Sequence, residues 1–436
     1  MNRTDISRRK FLGRSGSLAM ALPLASIPAA AQTVTIPDDP NGKSRRSDLA
    51  AEIPNRILPT RAIGPTTITV SGLPLDGQSD ASAIIQSAID SLGADGGTVL
   101  IPRKNTGKNQ CTYMLNTTAN KQGSAYYALM LRSNVRLECQ PGVKLQAMPI
   151  TQDPIHTNRA YMVYALQVHD VELVNCWFVG ERQNHVYSGI GTGTDEWCFG
   201  IQILGVTGMT IRGTQISQCT GDGIDLGNFG SSISSDIVIC DVISTQNRRQ
   251  GLSITGGDGI FVYDSEFSYT NGTAPLDGID IEPGGAGASN ITIENCLIRG
   301  NTGCGIQLNA HWGDIINVNV KNCLFSNNFW NPFTTQMSKG KTISGGTLYG
   351  NAFFQNGKNV WLGNATTNYI VGGDHPNDER NNSFANNQTL SNPITYPNLT
   401  KTSTQGYVAG SDLGASADTR APASGTTFGW NNYYKP

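Results

Sequence analysis

The sequence predicts an all-β solenoid, in which short strands stack coil upon coil along one axis. The main observation is a phrase of one glycine followed by alternating apolar residues, which occurs five times between residues 200 and 308. The glycines of successive phrases lie 23, 28, 27 and 27 residues apart. A repeat of this length is typical of a solenoid, whose units bury their apolar edges only against their neighbours. The alternation within each phrase indicates a strand with one buried face. The phrases are 200–203, 223–226, 251–254, 278–281 and 305–308.

The composition agrees with a β-rich protein and excludes several classes of partner. The 436 residues include 50 glycines and only 15% are charged, which suits a turn-rich β-protein better than a helical bundle. The formal net charge of −2 produces no strong field toward nucleic acid or an anionic membrane. After the first ~30 residues, no apolar run reaches the ~20 residues that a transmembrane helix needs. We expect no nucleic-acid partner and no membrane span, and we take the chain to be a monomer.

The cysteines do not predict a metal or redox site. Nine cysteines are scattered without the paired C-x-x-C spacing of such sites. Three of them, Cys176, Cys296 and Cys323, follow an asparagine in equivalent stretches. We expect these three to be small buried side chains stacked in register, rather than disulfides or ligands. The odd number also excludes complete pairing within the chain.

The first 32 residues have the features of an export signal. An arginine pair at positions 8 and 9 precedes an apolar run, and residues 29–32 offer a small-residue cleavage site. An arginine pair in this setting is typical of a bacterial twin-arginine signal. We therefore expect the mature chain to fold in the cytoplasm and to act in the periplasm or outside the cell. Residues 33–65 have no clear period and indicate a linker or an extended arm.

Residues 66–102 predict the N-terminal end of the solenoid. From Ser82 to Leu92 the apolar residues form one helical stripe, which a glycine pair and a short buried strand follow. The first coil of a β-solenoid would otherwise expose its core and an unpaired strand edge. We therefore expect this amphipathic helix to cap the solenoid and to have no chemical role. The solenoid domain with its cap is predicted over residues 66–390, and 391–436 is a terminal cover or flexible tail.

A second type of strand begins at 171–178 and indicates that each coil contains at least two strands. It returns at 209–211, 237–239, 260–262, 291–293 and 318–320. Polar residues that follow these strands are predicted to occupy turns, where their side chains can hydrogen-bond the bent backbone. They are Asn175, Asp241, Asp264, Asn295 and Asn322. A polar and aromatic insertion at 180–197 interrupts the rhythm, and insertions in solenoids form loops on one face that often build the binding site.

The order of these features resembles the pectin-lyase-like superfamily. The resemblance comes from the Asp-Gly-x-x-Asp run at 76–80, the apolar helix, the Gly-Gly-Thr-Val-x-Ile-Pro run at 96–102 and the repeated Gly-Ile-x-Ile phrases. It is nearest to the pectate-lyase-like and rhamnogalacturonase/epimerase-like branch, and it covers about residues 66 to 380. It implies a right-handed parallel β-helix with an N-terminal amphipathic capping helix, and an extended polysaccharide chain as substrate, lying in a groove along the helix.

The resemblance does not decide the reaction. The superfamily includes polysaccharide lyases, glycoside hydrolases, uronate epimerases and phage tail-spike depolymerases, and a fold does not define a function. Its epimerases carry a Gly-Phe-Asp-Pro-His-Glu type signature, whereas the comparable run at 278–283 contains no histidine. That departure counts against epimerisation. The polygalacturonase pattern of adjacent aspartates with Gly-His-Gly is also absent from this sequence.

The phrases place acidic side chains in columns. Because the isoleucines point inward, the middle residue of each phrase points outward, and stacking predicts an exposed column. Its members are Gln202, Asp225, Ser253, Asp280 and Gln307. Two neighbouring columns also carry carboxylates. The residues just before the glycines include Asp222 and Asp277, and the residues two positions after the middle residue of each phrase include Glu282. The predicted catalytic residues are therefore Asp222, Asp225, Asp277, Asp280 and Glu282.

The expected spacing of these carboxylates suits acid and base catalysis. Asp280 and Glu282 share a face about 7 Å apart along a strand, within the ~6.5–9.5 Å window of an inverting pair. Asp225 lies two coils from Asp280, or about 10 Å at ~4.8 Å per coil. Crowded carboxylates raise one another's proton affinity, which allows one of them to act as the acid. The alternatives are solvated surface or turn residues, and a Ca²⁺ site with oxygen ligands from adjacent coils.

Other residues of the same coils are candidates for substrate binding. Arg248 and Arg249 enter the strand between the two acidic coils, where a guanidinium could hold a substrate carboxylate or balance the neighbouring aspartates. His311 and Trp312 follow the last phrase, as an acid or base beside a sugar-stacking platform or as a turn residue beside a packing aromatic. Further candidates in the insertion are His185, Tyr187, Asp195, Glu196 and Trp197.

Together these features predict an exported, single-domain enzyme that cleaves glycosidic bonds of an extracellular polysaccharide. We favour hydrolysis, which requires no cofactor, because the acidic set is better populated than any set of bases. If the reaction is instead β-elimination on a uronate, Arg248, Arg249 or His311 should carry it, with Ca²⁺ neutralising the uronate. The alternative from another class is a non-catalytic carbohydrate-binding surface solenoid.

Overall fold

The computed structural model describes most of the predicted solenoid. The described residues are 56–104, 111–150, 159–187, 196–358, 360–362, 366–367, 369–372, 382–385, 427–428 and 433–435. The predicted export signal at 1–32 and Asp195 lie outside them. The chain forms a right-handed parallel β-helix, as predicted, with three strands in most coils where the sequence indicated at least two.

In the described residues the strands form three sheets, here named A, B and C. Sheet A contains β1 (Thr66–Thr69), β2 (Gly97–Ile101), β6 (Val135–Cys139), β9 (His169–Val174), β12 (Thr207–Arg212), β15 (Ser235–Cys240), β18 (Gly257–Tyr263), β21 (Ala288–Glu294), β24 (Ile315–Lys321), β27 (Ile343–Tyr349), β29 (Thr366–Thr367), β30 (Ile370–Val371) and β32 (Thr427–Phe428). Sheet B contains β3 (Cys111–Leu115), β7 (Val143–Ala147), β10 (Trp177–Val179), β13 (Gln215–Ser217), β16 (Ile243–Thr245), β19 (Glu266–Ser268), β22 (Leu297–Arg299), β25 (Leu324–Ser326), β28 (Ala352–Phe354), β31 (Ser383–Ala385) and β33 (Tyr433–Lys435). Sheet C contains β4 (Asn120–Gln122), β5 (Ala125–Met130), β8 (Ala160–Leu166), β11 (Ile201–Leu204), β14 (Ile224–Gly227), β17 (Leu252–Ile254), β20 (Ile279–Ile281), β23 (Ile306–Ala310) and β26 (Phe333–Met337).

The repeated phrases are the strands of sheet C, and their apolar residues fill the core. Ile224, Leu226, Ile279 and Ile281 are all fully buried. Full burial of such a side chain contributes roughly 1.5–3 kcal/mol. The glycine before each strand is required by a close approach. At Gly223, for example, an added Cβ would lie 2.2 Å from the Ser244 hydroxyl and 2.8 Å from the carbonyl oxygen of Gly251 in the next coil.

The predicted capping helix is present as α1 (Ser82–Ser91), which ends one residue before the predicted limit. Ile85 and Ile89 on its apolar stripe are fully buried in the same core cluster as the coils. The N–H of Ala81 before the helix donates to the carbonyl of Met114 in β3, which ties the helix to the first coil. These contacts confirm that the helix covers the end of the core.

The predicted turn residues after the sheet A strands are confirmed. All of them adopt a left-handed backbone conformation, with φ between 51° and 56°: Asn175, Asp241, Asp264, Asn295 and Asn322. Asparagine and aspartate tolerate this conformation better than other non-glycine residues. Asn175 therefore divides the stretch 171–178, which the sequence indicated as one strand, into β9 of sheet A and β10 of sheet B.

The cysteine prediction is also confirmed. All nine cysteines are free and buried. In the stack that follows the asparagines, the backbone N–H of Cys296 lies 3.4 Å from the sulfur of Cys323 in the next coil. The thiols therefore act as small packing groups.

Described segments before and after the central coils contact them. Arg61, in the predicted arm, donates through Nε to the hydroxyl of Thr210 at 2.9 Å and forms an ion pair with Asp236, both on sheet A. Strands β32 and β33 fall within the predicted terminal cover, and they extend sheets A and B beyond residue 390. In the part of the chain that is described, no helix is long and apolar enough to cross a membrane.

Candidate functional site

The middle residues of the phrases form one column across sheet C, as predicted. The register pairs Gln202 with Asp225, Asp225 with Ser253, Ser253 with Asp280 and Asp280 with Gln307. The column lies opposite the buried isoleucines, but the prediction that it is exposed is wrong for four of its members. Gln202, Asp225, Ser253 and Asp280 are only 2–5% exposed, and Gln307 is half-buried. The physical reason is that the outer face of this sheet carries its own layer of packed side chains.

A second buried column contains Asp222 and Asp277. The N–H of Gly223 donates to the carbonyl of Gln250, and the N–H of Gly251 donates to the carbonyl of Asp277, so the residues before the glycines also stack coil upon coil. Asp222 and Asp277 are 0% and 1% exposed. The structure therefore brings four of the five predicted catalytic carboxylates onto one side of sheet C, on coils β14 and β20.

Side chains from the coil between them connect these carboxylates. Ser253 donates to Oδ2 of Asp222 at 2.9 Å and is hydrogen-bonded to Oε1 of Gln250. The amide nitrogen of Gln250 donates to Oδ2 of Asp280. Asp222 and Asp280 thus belong to one continuous hydrogen-bonded network. Sequence reasoning assigned no chemical role to Ser253 and Gln250, although their places in the two columns were the available signal.

Asp225 has an amide partner in the coil before it. The amide nitrogen of Gln202 donates to Oδ1 of Asp225 at 2.6 Å. The charge of Asp225 acts on Asp222, where it contributes to the raised pKa of that carboxyl group. Asp225 therefore belongs to the same electrostatic cluster.

Arg249 is the counter-ion of the cluster. Its Nη1 lies 2.8 Å and 3.1 Å from the two carboxylate oxygens of Asp222, and both side chains are buried. Burial alone would lower the pKa of Arg249, but the charges of Asp222 and Asp280 outweigh it and raise that pKa. Arg249 therefore stays protonated at any pH at which the protein is folded.

The aspartates differ in their affinity for protons. Burial raises the pKa of Asp222 to about 7, even though Arg249 opposes the rise. Burial, and then the charge of Asp280, raise the pKa of Asp277 well above its usual range. Oδ1 of Asp277 accepts the N–H of Cys304, whereas its buried Oδ2 has no hydrogen-bond partner among the described residues. Asp277 therefore binds its proton more tightly than an exposed aspartate does.

Glu282 lies at the edge of this cluster. It follows β20 directly, two residues after Asp280, and is half-buried. Its Oε1 accepts the amide of Asn309 in the next coil at 3.3 Å. Glu282 is thus the most accessible of the predicted catalytic carboxylates, and it lies where the chain leaves sheet C, whereas Asp222 and Asp277 lie where the chain enters sheet C.

The described part of the insertion packs beside the two arginines. The guanidinium carbon of Arg248 lies 4.3 Å from the ring centroid of Tyr187, and that of Arg249 lies 5.6 Å from the ring centroid of Trp197. The structure thus brings these predicted substrate-binding residues together. Their role in binding substrate stays a prediction.

His185 is fixed by a glutamate that sequence reasoning missed. Its Nδ1 lies 2.8 Å and 3.0 Å from the two carboxylate oxygens of Glu181, and both side chains are buried. The hydroxyl of Thr220, two residues before Asp222, also donates to Glu181 at 2.7 Å. The i, i+4 spacing of Glu181 and His185 within the insertion was the only available signal.

His311 and Trp312 lie at the other end of the sheet C strands. They follow the last residue of β23, with their ring centroids 4.5 Å apart, and Nδ1 of His311 is 2.6 Å from the hydroxyl of Ser338. The buried aspartates are gathered near the start of the strands. The structure therefore places this pair at the opposite end of the sheet C strands from the buried aspartates, two residues beyond the Asn309 that contacts Glu282.

Several oxygens of the cluster already accept hydrogen bonds and are not arranged around one point. Asp222 accepts from Arg249 and Ser253, and Asp280 accepts from Gln250. A calcium ion instead needs several oxygens converging on one point. Within the described ranges, no group of three or more His, Cys, Asp or Glu side chains could hold a metal ion.

Comparisons with known proteins agree with the architecture. Residues 199–388 match the family model described as a right-handed β-helix region. The uncharacterized protein YclG of Bacillus subtilis is 28% identical over 271 residues, which are 57% of this chain and 44% of that protein. This chain therefore spans less than half the length of that relative.

Solved structures share the fold at low sequence identity. ORF18 of Geobacillus virus E2 is 13% identical with a TM-score of 0.52, over 74% of this chain and 58% of that one. The tailspike protein gp49 of Acinetobacter baumannii bacteriophage Fri1, a capsular polysaccharide depolymerase, is 13% identical with a TM-score of 0.47, over 74% and 60% of the two chains. The protein is a right-handed parallel β-helix protein. The family model and ORF18 agree with the predicted resemblance in fold, which is a right-handed β-helix.

Proposed function

We propose that this protein is an exported carbohydrate-active enzyme that hydrolyses glycosidic bonds of an extracellular polysaccharide lying along sheet C. The observation that supports this most is the gathering of four aspartates in one buried cluster with an arginine: Asp222, Asp225, Asp277 and Asp280. Glycosidic hydrolysis needs two carboxyl groups in opposite protonation states. Burial and mutual repulsion keep the proton affinities of such groups apart.

In this proposal, Asp277 is the general acid and Asp280 the general base. Asp277 retains its proton because burial raises its pKa, whereas Asp280 accepts an amide hydrogen bond from Gln250, which favours a charged carboxylate. Asp277 gives its proton to the leaving glycosidic oxygen as the bond from that oxygen to the anomeric carbon breaks. Asp280 takes a proton from the water whose oxygen bonds to the same carbon. Arg249 keeps Asp222 in place beside them.

The aromatic and cationic side chains beside the cluster suit a role in holding the sugar chain. Tyr187 is partly exposed next to Arg248, and Trp197 is half-buried next to Arg249. Aromatic rings stack on the apolar faces of sugars, and a guanidinium holds a carboxylate. Trp312 is a second exposed platform at the opposite edge of the sheet.

The burial of the aspartates also supports a second candidate function. Asp277 and Asp280 are 1% and 3% exposed, so substrate reaches them only when covering side chains move. If those side chains do not move, the network is structural and the protein is a non-catalytic carbohydrate-binding solenoid. In that case, Asp280→Asn leaves glycan binding unchanged and no glycan is turned over.

β-Elimination is less favoured than hydrolysis. Arg249 is held in an ion pair with Asp222 that raises its pKa, and it therefore cannot accept a proton from the substrate. Elimination would have to use Arg248 or His311 as the base, and His311 lies at the opposite end of the sheet C strands from the buried aspartates. Unsaturated sugar ends among the products would overturn the hydrolysis proposal.

The test is a screen of the chain from residue 33 onward against acidic and neutral polysaccharides. Each reaction is measured for new reducing ends and for the ultraviolet absorbance of unsaturated ends. We expect reducing ends without unsaturated ends, and a loss of activity of at least a hundredfold in Asp277→Asn and Asp280→Asn, which remove one partner of general acid and base catalysis. Asp258→Asn, which changes a carboxylate bonded to Ser289 on sheet A, is the matched control and should keep full activity.

A further inference from the structure

Trp330 and Lys358 form a cation–aromatic pair on the surface. The ammonium nitrogen of Lys358 lies 3.6 Å from the ring centroid of Trp330, well within the ~6 Å range of cation–π attraction. Trp330 is 46% exposed, and its neighbour Phe329 is also exposed. Among the described residues, Lys358 has no ion-pair partner. The pair therefore presents an aromatic surface and an unneutralised positive charge.

This pair borders the carboxylate cluster. The N–H of Trp330 donates to the carbonyl of Gly303, and the N–H of Gly303 donates to that of Leu276, the residue before Asp277. Trp330 therefore lies two coils from Asp277, or about 10 Å at ~4.8 Å per coil. The backbone N–H of Cys304 donates to Asp277. Burial raises the pKa of the Cys304 thiol, and the nearby ammonium of Lys358 opposes that rise.

A second cation–aromatic pair lies between the two acidic coils. Arg248 stacks on the partly exposed ring of Tyr187, and its N–H donates to the carbonyl of Cys219, one coil before its own. Along the axis of the solenoid, the order is therefore the coil of Asp222 and Asp225, then Arg248, then the coil of Asp277 and Asp280, and then Trp330 with Lys358 two coils beyond Asp277. Positive side chains thus lie both within the acidic stretch and beyond its last coil.

The chemistry of the Trp330 pair indicates its ligand. An indole ring stacks on the apolar face of a sugar, and an ammonium attracts an anionic group as a point charge. A negatively charged polymer approaching four aspartates is repelled unless cations lie along its path. We propose that Trp330 and Lys358 form a subsite for a sugar that carries a negative charge, either a carboxylate or a sulfate. This subsite rests on the proposed function and specifies the substrate of the same groove.

The test measures binding without relying on turnover. In the Asp280→Asn background, Trp330→Ala and Lys358→Gln are compared by affinity electrophoresis in gels that contain a polyuronate, a sulfated galactan or a neutral galactan. Lys358→Gln should weaken binding of the preferred anionic polymer about tenfold, or roughly 1.4 kcal/mol, and should reduce its salt dependence. Trp330→Ala should weaken binding by a similar factor. The preferred polymer distinguishes the carboxylate from the sulfate.

A matched pair on another sheet provides the control. Lys144 lies 5.7 Å from the ring centroid of Trp177 on sheet B, and neither Lys144→Gln nor Trp177→Ala should affect binding. In the active background, the Trp330 and Lys358 variants should raise KM and leave kcat within twofold. Circular dichroism and melting temperature confirm that each variant is folded.

The outcomes separate the subsite from the proposed function. Three outcomes would overturn the subsite. The variants could lose affinity for the neutral and the anionic polymers equally, Lys358→Gln could keep its full affinity, or every anionic polymer could fail to bind. Lys358-dependent binding of an anionic polymer that the wild-type protein never cleaves would instead support the subsite and refute hydrolysis.

Discussion

Arg249 and Asp222 form a buried ion pair, and removing the arginine should destabilise the protein in a pH-dependent way. The two side chains are 7% and 0% exposed, with Nη1 and Oδ2 2.8 Å apart. Arg249→Met keeps much of the volume but leaves Asp222 buried without its counter-ion. Such a change costs about 3–5 kcal/mol. We expect the free energy of unfolding to fall by about that amount at pH 8.

The dependence on pH follows from the protonation of Asp222. Burial raises its pKa from 3.8 in the unfolded chain to about 7, so its contribution to stability falls as the pH rises through this range. Without Arg249 the pKa rises further, and the folded variant keeps a proton between pH 7 and 8 that the wild-type protein has released. Over that interval the free energy of unfolding of the variant falls relative to that of the wild type by about 1.4 kcal/mol per pH unit. The decrease in the free energy of unfolding that Arg249→Met causes should therefore be about 1.4 kcal/mol larger at pH 8 than at pH 6.

The assay is denaturant unfolding followed by far-ultraviolet circular dichroism at both pH values. The double variant Asp222→Asn with Arg249→Met is the control, since it removes both charges and should show no such pH difference. An equal loss for Arg249→Met at pH 6 and pH 8 would show that Asp222 does not titrate in this range. A pH difference that persists in the double variant would assign the effect to another group.

Three further substitutions and one labelling experiment test the fold. Arg61→Ala removes the guanidinium that binds Thr210 and Asp236, and it should lower the free energy of unfolding by about 1–3 kcal/mol in a denaturant titration. Asn328→Ala removes a fully buried amide that donates to the carbonyl of Ile298 at 3.0 Å, and it should lower that free energy by about 2–3 kcal/mol, whereas an exposed Asn184→Ala control should be near neutral. Gly223→Ala places a Cβ 2.2 Å from the Ser244 hydroxyl and should reduce the melting temperature and the soluble yield; a fully stable variant would contradict the close approach. All nine thiols are buried, so a thiol reagent should label none in the native protein and all of them in denaturant; rapid labelling of any thiol in the native protein would disprove the packing.

Much of the fold was predictable because the strongest signals are local and repeated. The spacing of the phrases fixed the coil length, and the isoleucine alternation identified the buried side of sheet C. The stripe from Ser82 onward identified the capping helix. Sheet B was not predicted as a separate layer, because strands such as Ile243–Thr245 have only three residues and show no usable alternation. The bend at Asn175 depends on one backbone angle, which the period does not reveal.

The sequence predicted which residues of the candidate site align in columns, but it did not predict that other side chains cover them. Alternation identified Asp225 and Asp280 as outward-facing, and the register confirms that one strand lies between them. Alternation cannot show what covers a sheet, because the cover comes from residues in other coils. The ring of Trp197 over Arg249 is one such contact, and Lys358 over Trp330 is another. Pairs of this kind have no signature in the spacing of the sequence.

The polar network depends on the same coil register that builds the core. Asp222 is held by Arg249 and Ser253 from the next coil, and Gln250 of that coil reaches forward to Asp280. Each of these bonds exists only while neighbouring coils keep their spacing. That spacing is set where Gly223 closely approaches Gly251 of the next coil. A change that shifts one coil should therefore disturb stability and the proton affinities of the aspartates together, although no carboxylate is altered.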